Sequence, residues 1–155
     1  MAPVLRPATR DDDEALFAAF ARLVADGEGF PNAAPLTRAD FEVTWVEPPR
    51  VVVAEVAGEL AGAYFLRPNF SGRASHIANA GYFVDRAYRG RGIGRMLVED
   101  SIERAPSAGF DAIQFNLVFE SNPARRLYEE LGWEVVGRLP RGVDDEPALI
   151  YWRDV

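Results

Sequence analysis

The run Arg89-Gly90-Arg91-Gly92-Ile93-Gly94-Arg95 alternates arginine, glycine and one isoleucine between two apolar stretches. Strand-like Tyr82-Phe83-Val84 precedes it, and helix-like Met96 to Ile102 follows. A turn from strand into helix leaves a row of backbone N–H groups without intrahelical partners, and the helix dipole adds partial positive charge there. Glycines let a ligand approach that backbone closely, because no Cβ stands in the way. The run therefore reads as an anion cradle suited to a phosphate or pyrophosphate. The dinucleotide fingerprint does not fit, because Arg95 stands where a third glycine is needed. The Walker pattern fails as well, since Gly94-Arg95-Met96 replaces Gly-Lys-Ser/Thr.

A second block runs from Asn122 to Trp133 and reads as a helix followed by a strand. Asn122 suits the N-cap, Pro123 the first helical position and Gly132 the position past the end. Ala124, Leu127, Tyr128 and Leu131 recur at helical spacing and form one apolar face. Tyr128 thus falls towards the core, where its ring is buried and its hydroxyl needs a partner. Two amides interrupt apolar strands, Asn79 in Ala78 to Val84 and Asn116 in Gln114 to Phe119. Strands disfavour asparagine, and a buried amide is costly unless its donors and acceptor are matched. The pair either lines a common pocket and binds a small acceptor, or is satisfied by neighbouring backbone. Glu120 follows the second of these strands and is either a general base or an exposed loop carboxylate. Asp85 is a second base candidate or a turn cap. His76, the only histidine, starts a strand, where a lone histidine is more often surface or hydrogen-bonded structure.

Arg89-x-x-Gly92-x-Gly94 and the Asn122 to Trp133 block, in that order, resemble the GNAT superfamily of N-acetyltransferases. The matching patterns are (Gln or Arg)-x-x-Gly-x-(Gly or Ala) and Asn-x-x-Ala-x-x-Leu-Tyr-x-x-x-Gly-Phe. This chain lacks one residue between Asn122 and Ala124, and Trp133 replaces the phenylalanine. The resemblance implies an α/β fold whose mixed, mostly antiparallel sheet has one splayed parallel pair and is flanked by helices. It implies acetyl-CoA as co-substrate and no metal. The pyrophosphate would lie on Arg89, Gly90, Arg91, Gly92, Ile93, Gly94 and Arg95, with Asn122 and Arg126 nearby. The pantetheine arm would enter the splay and meet the backbone of Phe83 and Val84. Tyr128 would protonate the departing thiolate. The expected activity is acetyl transfer to the amine of a small molecule or amino acid; an acyl-CoA sensor or scaffold without turnover is the alternative. The segments Ala78 to Val84 and Gln114 to Asn122 also resemble the fungal acetyltransferases that detoxify azetidine-2-carboxylate. That resemblance places Asn79, Asn116 and Asn122 at the active site.

Composition sets the bounds. A chain of 155 residues is long enough for a sizeable core, and one domain spanning 1–155 is expected. A hydrophobic fraction of 48% implies a globular rather than disordered chain. The net charge of −7 argues against a nucleic-acid surface and is compatible with a cationic amine substrate. With no cysteine, disulfides, thiolate catalysis and cysteine zinc sites are excluded. No apolar run approaches membrane-spanning length, and Asp11 to Glu14 stand where a secretory leader would be apolar. A cytoplasmic location without a membrane partner is expected, and a homodimer remains open.

The elements that must position these residues follow from periodicity and turn signals. Val4 to Arg6 is a short strand, and Thr9 caps a helix with Leu16, Phe17, Phe20, Leu23 and Val24 on one face. A loop from Asp26 to Pro35 and a helix from about Thr37 to Val46 follow. Arg50 to Val56 and Leu60 to Leu66 form a hairpin around Ala57-Gly58-Glu59. Arg67 to Ser75 is a loop, His76 to Val84 a strand, about Gly94 to Ala105 a helix, and Asp111 to Phe119 a strand. Val135 to Arg138 and Ala148 to Arg153 close the chain, joined by a polar loop with Pro140 and Gly142. The strand, cradle, helix and strand in succession require a crossover, so the strands of Val84 and Phe115 should be parallel.

Overall fold

The computed structural model describes Met1–Val155. Its strands are β1 (Val4–Pro7), β2 (Arg50–Val56), β3 (Glu59–Pro68), β4 (Ile77–Val84), β5 (Ala112–Phe119), β6 (Glu134–Val143) and β7 (Glu146–Asp154). The α-helices are α1 (Asp13–Ala25), α2 (Arg38–Phe41), α3 (Ile93–Arg104) and α4 (Arg125–Glu130). All strands join one sheet in the order β1-β2-β3-β4-β5-β7-β6. Only β4 and β5 run parallel, as the crossover through α3 requires.

That parallel pair is short. Ile77 meets Ala112, Ala78 meets Ile113 and Asn79 meets Gln114; beyond this point β4 and β5 continue without pairing to each other. The sheet is therefore split from Ala80 to Val84 on one side and from Phe115 to Phe119 on the other. The expected splay is present.

Alternation along the strands sorts their side chains onto two covered faces. Ala78, Ala80, Ile113 and Phe115 pack with Ile93, Leu97 and Val98 of α3 and with Tyr128 of α4. Val53, Ala63, Phe65 and Phe83 pack with Leu16, Phe20 and Val24 of α1 and with Phe41 and Trp45. Asn79 and Gly81 alternate with Phe83 and so belong to this second face. Phe65 and Phe30 close over Gly81 so tightly that a Cβ there would lie 2.5 Å from the Phe65 ring. At Gly62 the obstacle is backbone: a Cβ would lie 2.6 Å from the Phe83 carbonyl oxygen and 3.3 Å from Leu97. Gly62→Ala should therefore destabilise by about 2 kcal/mol, because strand and helix must both shift. Thermal unfolding should show a Tm lower by roughly 4–8 °C.

The hairpin of β2 and β3 turns at Ala57 and Gly58, both at positive φ (52° and 81°), the conformation that matches strand twist. Several boundaries differ from the sequence expectation. β3 runs on to Pro68, so Arg67 lies in a strand instead of a loop. β6 extends through Pro140 and Gly142 to Val143, which an edge strand with a register shift after Leu139 tolerates. The helix expected from Thr37 to Val46 begins as α-helix, with Thr37 Oγ1 accepting from Asp40 N–H at 3.1 Å, and finishes as a π-turn over Glu42–Val46.

Candidate active site

The cradle is built from the end of β4 onward. The Asp85 carboxylate accepts from Ala87 N–H at 3.0 Å and shapes the turn that follows β4. Gly90 and Gly92 both sit at φ +78°, a conformation other residues adopt with strain. Gly92 is the N-cap of α3, and its carbonyl accepts the first helical bond, from Met96 N–H at 3.1 Å. From Gly90 to Arg95 no backbone N–H finds an acceptor in the protein. A Cβ added at Gly90 or Gly92 would meet nothing within 4 Å, so the space in front of this backbone is open.

The arginines contribute less charge than their number suggests. Arg89 is paired with Glu28 and touches the Val84 carbonyl through Nε at 3.4 Å. Arg95 is paired with Glu130 at 2.6 Å. Arg91 alone of the three has no carboxylate partner and lies over the Tyr88 ring at 5.3 Å. The cradle is thus chiefly an array of N–H dipoles. Ile93 is buried in the core and can offer a ligand only its backbone.

A cleft of about 780 Å³ occupies the splay and runs under the loop from Gly27 to Asn32. The parity of β4 decides which backbone groups reach it. Asp85 N–H donates to Ala61 C=O, and Asn69 N–H to Ile77 C=O, both at 2.8 Å. Odd-numbered β4 residues therefore bond to β3, and even-numbered ones face β5. Tyr82 and Val84 turn their N–H and C=O groups into the splay, where no strand meets them. Phe83 does not: its backbone is spent on β3, and it lines the cleft with its ring. In the splay it is the backbone of Tyr82 and Val84, and not that of Phe83, that is left without a strand partner.

Tyr128 lines the same cleft. Its ring is buried against Phe115, with centroids 4.7 Å apart, and near Tyr82 at 6.3 Å. The chain has five tyrosines. Tyr64 bonds to Asp100, Tyr82 to Ser101, Tyr88 to Glu59, and Tyr151 to Arg125 and Glu129. Tyr128 is the one whose hydroxyl has no protein partner, contrary to the expectation that burial would supply one. Burial, with the nearby Tyr151 adding to it, pushes its phenol well above the ordinary value. It is a neutral phenol in the cleft wall.

Residues 12–133 match the sequence profile of the Acetyltransferase (GNAT) family. The chain belongs to this family. A GCN5-related N-acetyltransferase from Kribbella flavida superimposes with a TM-score of 0.92 at 33% identity, covering 99% of this chain and 98% of that one. N-acetyltransferase aca1 of Schizosaccharomyces pombe is 43% identical over 79 residues, which are 50% of this chain and 38% of the relative. L-amino acid N-acetyltransferase AaaT of Escherichia coli is 28% identical over 87 residues, 56% of this chain and 54% of the relative. The chain spans about half or less of the length of these two relatives.

The remaining sequence candidates distribute unevenly in this GNAT protein. Asn79 lies at the last parallel pair, and its Nδ2 donates to the Gln114 carbonyl at 3.0 Å, leaving Oδ1 without a partner beside the cleft. Asn116 also lines the cleft, but its amide is engaged. It exchanges two hydrogen bonds with Asn69, at 2.7 and 3.0 Å, and accepts a third from Gln114. That amide pair ties the end of β3 to β5 across β4. Asn122 is at the cleft, where its Oδ1 accepts from Ala124 N–H at 2.8 Å. It makes a turn instead of capping α4, which starts at Arg125. Arg126 is almost fully exposed and pairs only with Glu130, at 3.4 Å.

The base candidates are not brought to the cleft. Glu120 is outside its lining, and its carboxylate accepts from Arg138 at 3.0 Å on β6. Asp85 pairs with Arg22 at 2.8 Å; burial works to raise its carboxyl, but Arg22 and Ala87 N–H outweigh it and hold it low. His76 is exposed ahead of β4. The only carboxylate in the cleft wall is Glu28, held below its usual range by Arg89 with help from Arg86. Two charged cleft residues, Glu28 and Arg67, were not singled out in the sequence, where both fall in stretches read as loops. Arg67 is a cation at the end of an apolar strand, a signal that was present but was absorbed into the loop assignment.

Proposed function

We propose that this protein transfers an acetyl group from acetyl-CoA to the amine of a small molecule. The observation that carries the proposal is Tyr128, which lines the cleft at the split in the sheet and has the only tyrosine hydroxyl without a protein partner. Acetyl-CoA fits that arrangement in two parts. The N–H groups of Gly90 to Arg95 take the pyrophosphate, and the free edge of β4 takes the pantetheine amides. An unpaired N–H on that edge polarises the thioester carbonyl.

The amine nitrogen attacks the carbonyl carbon, a C–N bond forms, and collapse of the tetrahedral intermediate breaks the C–S bond. Tyr128 donates its proton to the leaving sulfur and recovers one from the attacking amine through solvent. A phenol less acidic than a thiol of pKa about 8.5 does this only as charge develops on sulfur, which is general acid catalysis. Removal of the amine proton falls to water, because the one cleft carboxylate is already committed to arginine. The rate should therefore track the free-amine fraction. Log kcat/KM should rise with pH at a slope near 1 until the acceptor's own amine pKa is reached. A plateau set well below that pKa would reveal a protein base and contradict the assignment.

The deciding experiment is acetyl-CoA-dependent thiol release, read with a thiol-reactive dye across amino acids, cyclic imino acids, polyamines, aminoglycosides and short peptides. The chain has no cysteine to give a background signal. Release with an acceptor class establishes the enzyme. Tight acetyl-CoA binding with silence across all classes identifies a sensor, and absence of binding overturns the proposal.

A further inference from the structure

Arg67 stands on β3 directly opposite Asn79, and both line the cleft. The other arginine in the cleft wall, Arg89, is neutralised by Glu28. Arg67 has no carboxylate partner. Its Nη2 donates to the carbonyls of Val43 and Thr44, which carry no charge. Its Nη1 makes no hydrogen bond, and its Nε is buried without an acceptor. The guanidinium lies 4.9 Å from the centre of the Phe65 ring, on the same face of the sheet. Burial disfavours its charge, opposed only by the distant pull of Glu47. A half-buried cation with unspent donors is costly to hold, and an anion entering the cleft would relieve it.

We infer that Arg67 binds the carboxylate of the acceptor, so that the substrates are amino acids and not simple amines. This rests on the acetyltransferase reading of the same cleft. Directly opposed residues in an antiparallel pair lie about 5.5 Å apart when hydrogen-bonded, and Arg67 and Asn79 are such a pair. A carboxylate on Nη1 of Arg67 leaves the amine on the next carbon within reach of the free Asn79 Oδ1. Asn79 sits where the strands part, so an amine held there faces the opening that admits the thioester. The two polar groups thus match the two ends of an α-amino or α-imino acid. A polyamine or aminoglycoside would bring only positive charge to Arg67 and would be repelled.

Matched acceptors test this: leucine, methionine and proline against their primary amides and their decarboxylated amines, with kcat/KM measured by thiol release and expressed per free-amine form. The wild-type protein should prefer the carboxylate form of its best acceptor by about 10²-fold, the usual weight of a charge-assisted contact. Arg67→Gln should erase that preference by raising KM for the acid alone, and Arg67→Lys should restore part of it. Acetyl-CoA affinity, measured by calorimetry, should stay unchanged in both variants. Equal rates for acid, amide and amine in the wild type would overturn the assignment, and so would an equal loss for all three in Arg67→Gln. If nothing turns over, calorimetry of leucine, methionine and proline in the presence of CoA separates the two proposals. Binding that Arg67→Gln abolishes keeps the carboxylate site and removes the transferase; no binding removes both.

Discussion

Tyr128→Phe should lower kcat by about 10²-fold while leaving acetyl-CoA affinity and the melting temperature almost unchanged. The substitution keeps the ring that packs 4.7 Å from Phe115 and removes only a hydroxyl that no protein group uses. Nothing in the fold is left unsatisfied, so a loss of activity cannot be assigned to a damaged core. Steady-state kinetics beside calorimetry with acetyl-CoA make the comparison. A variant that turns over like the wild type would remove Tyr128 from the chemistry. The same change at Tyr151 would not be clean, because its hydroxyl holds Arg125 at 2.9 Å and Glu129 at 3.1 Å.

The second large effect is expected at Gly92. Gly92→Asp keeps a residue type that tolerates the left-handed conformation, at φ +78°, and meets no atom within 4 Å. The fold should survive with a Tm within a few degrees. The new carboxylate, however, stands at the N-cap of α3 and competes for the N–H groups in front of it. It also repels a pyrophosphate. Losing charge-assisted hydrogen bonds of about 1.5–3 kcal/mol should weaken acetyl-CoA binding on the order of 10²-fold. Calorimetry together with a melting curve separates this from unfolding. Unchanged affinity would mean that the pyrophosphate lies elsewhere.

The cradle and the crossover were legible because their signals are local: glycines at a strand-to-helix turn, and a helix length between two apolar runs. The hairpin of β2 and β3 was legible for the same reason. Phe83 against Tyr82 was not, because periodicity fixes which face a side chain takes but not which edge its backbone bonds to. That choice depends on the register with β3, a long-range fact. Glu120 looked well placed because it follows β5, yet its N–H is bonded to Pro147 and its side chain is drawn to Arg138. Pro140 and Gly142 read as loop because neither favours a strand interior; β6 tolerates them by being the outermost strand. Asn122 carries the same local signature whether it caps a helix or makes the turn before one. Arg67 was hidden by a boundary error, since Pro68 ends β3 after it and not before.

The short parallel pairing has a consequence for how the chain assembles. The sheet is four strands joined to three by only Ile77, Ala78 and Asn79 against Ala112, Ile113 and Gln114. Each part is built from antiparallel neighbours, whereas the join must wait for the whole of α3 and its flanking turns to be threaded across. Forming that seam closes the loop through α3, and it returns few hydrogen bonds when made. Until then each part shows a bare strand edge to any passing chain. In the joined sheet the unpaired stretch of that edge persists beyond Asn79, and a long, thin ligand carrying amides is well shaped to cover it.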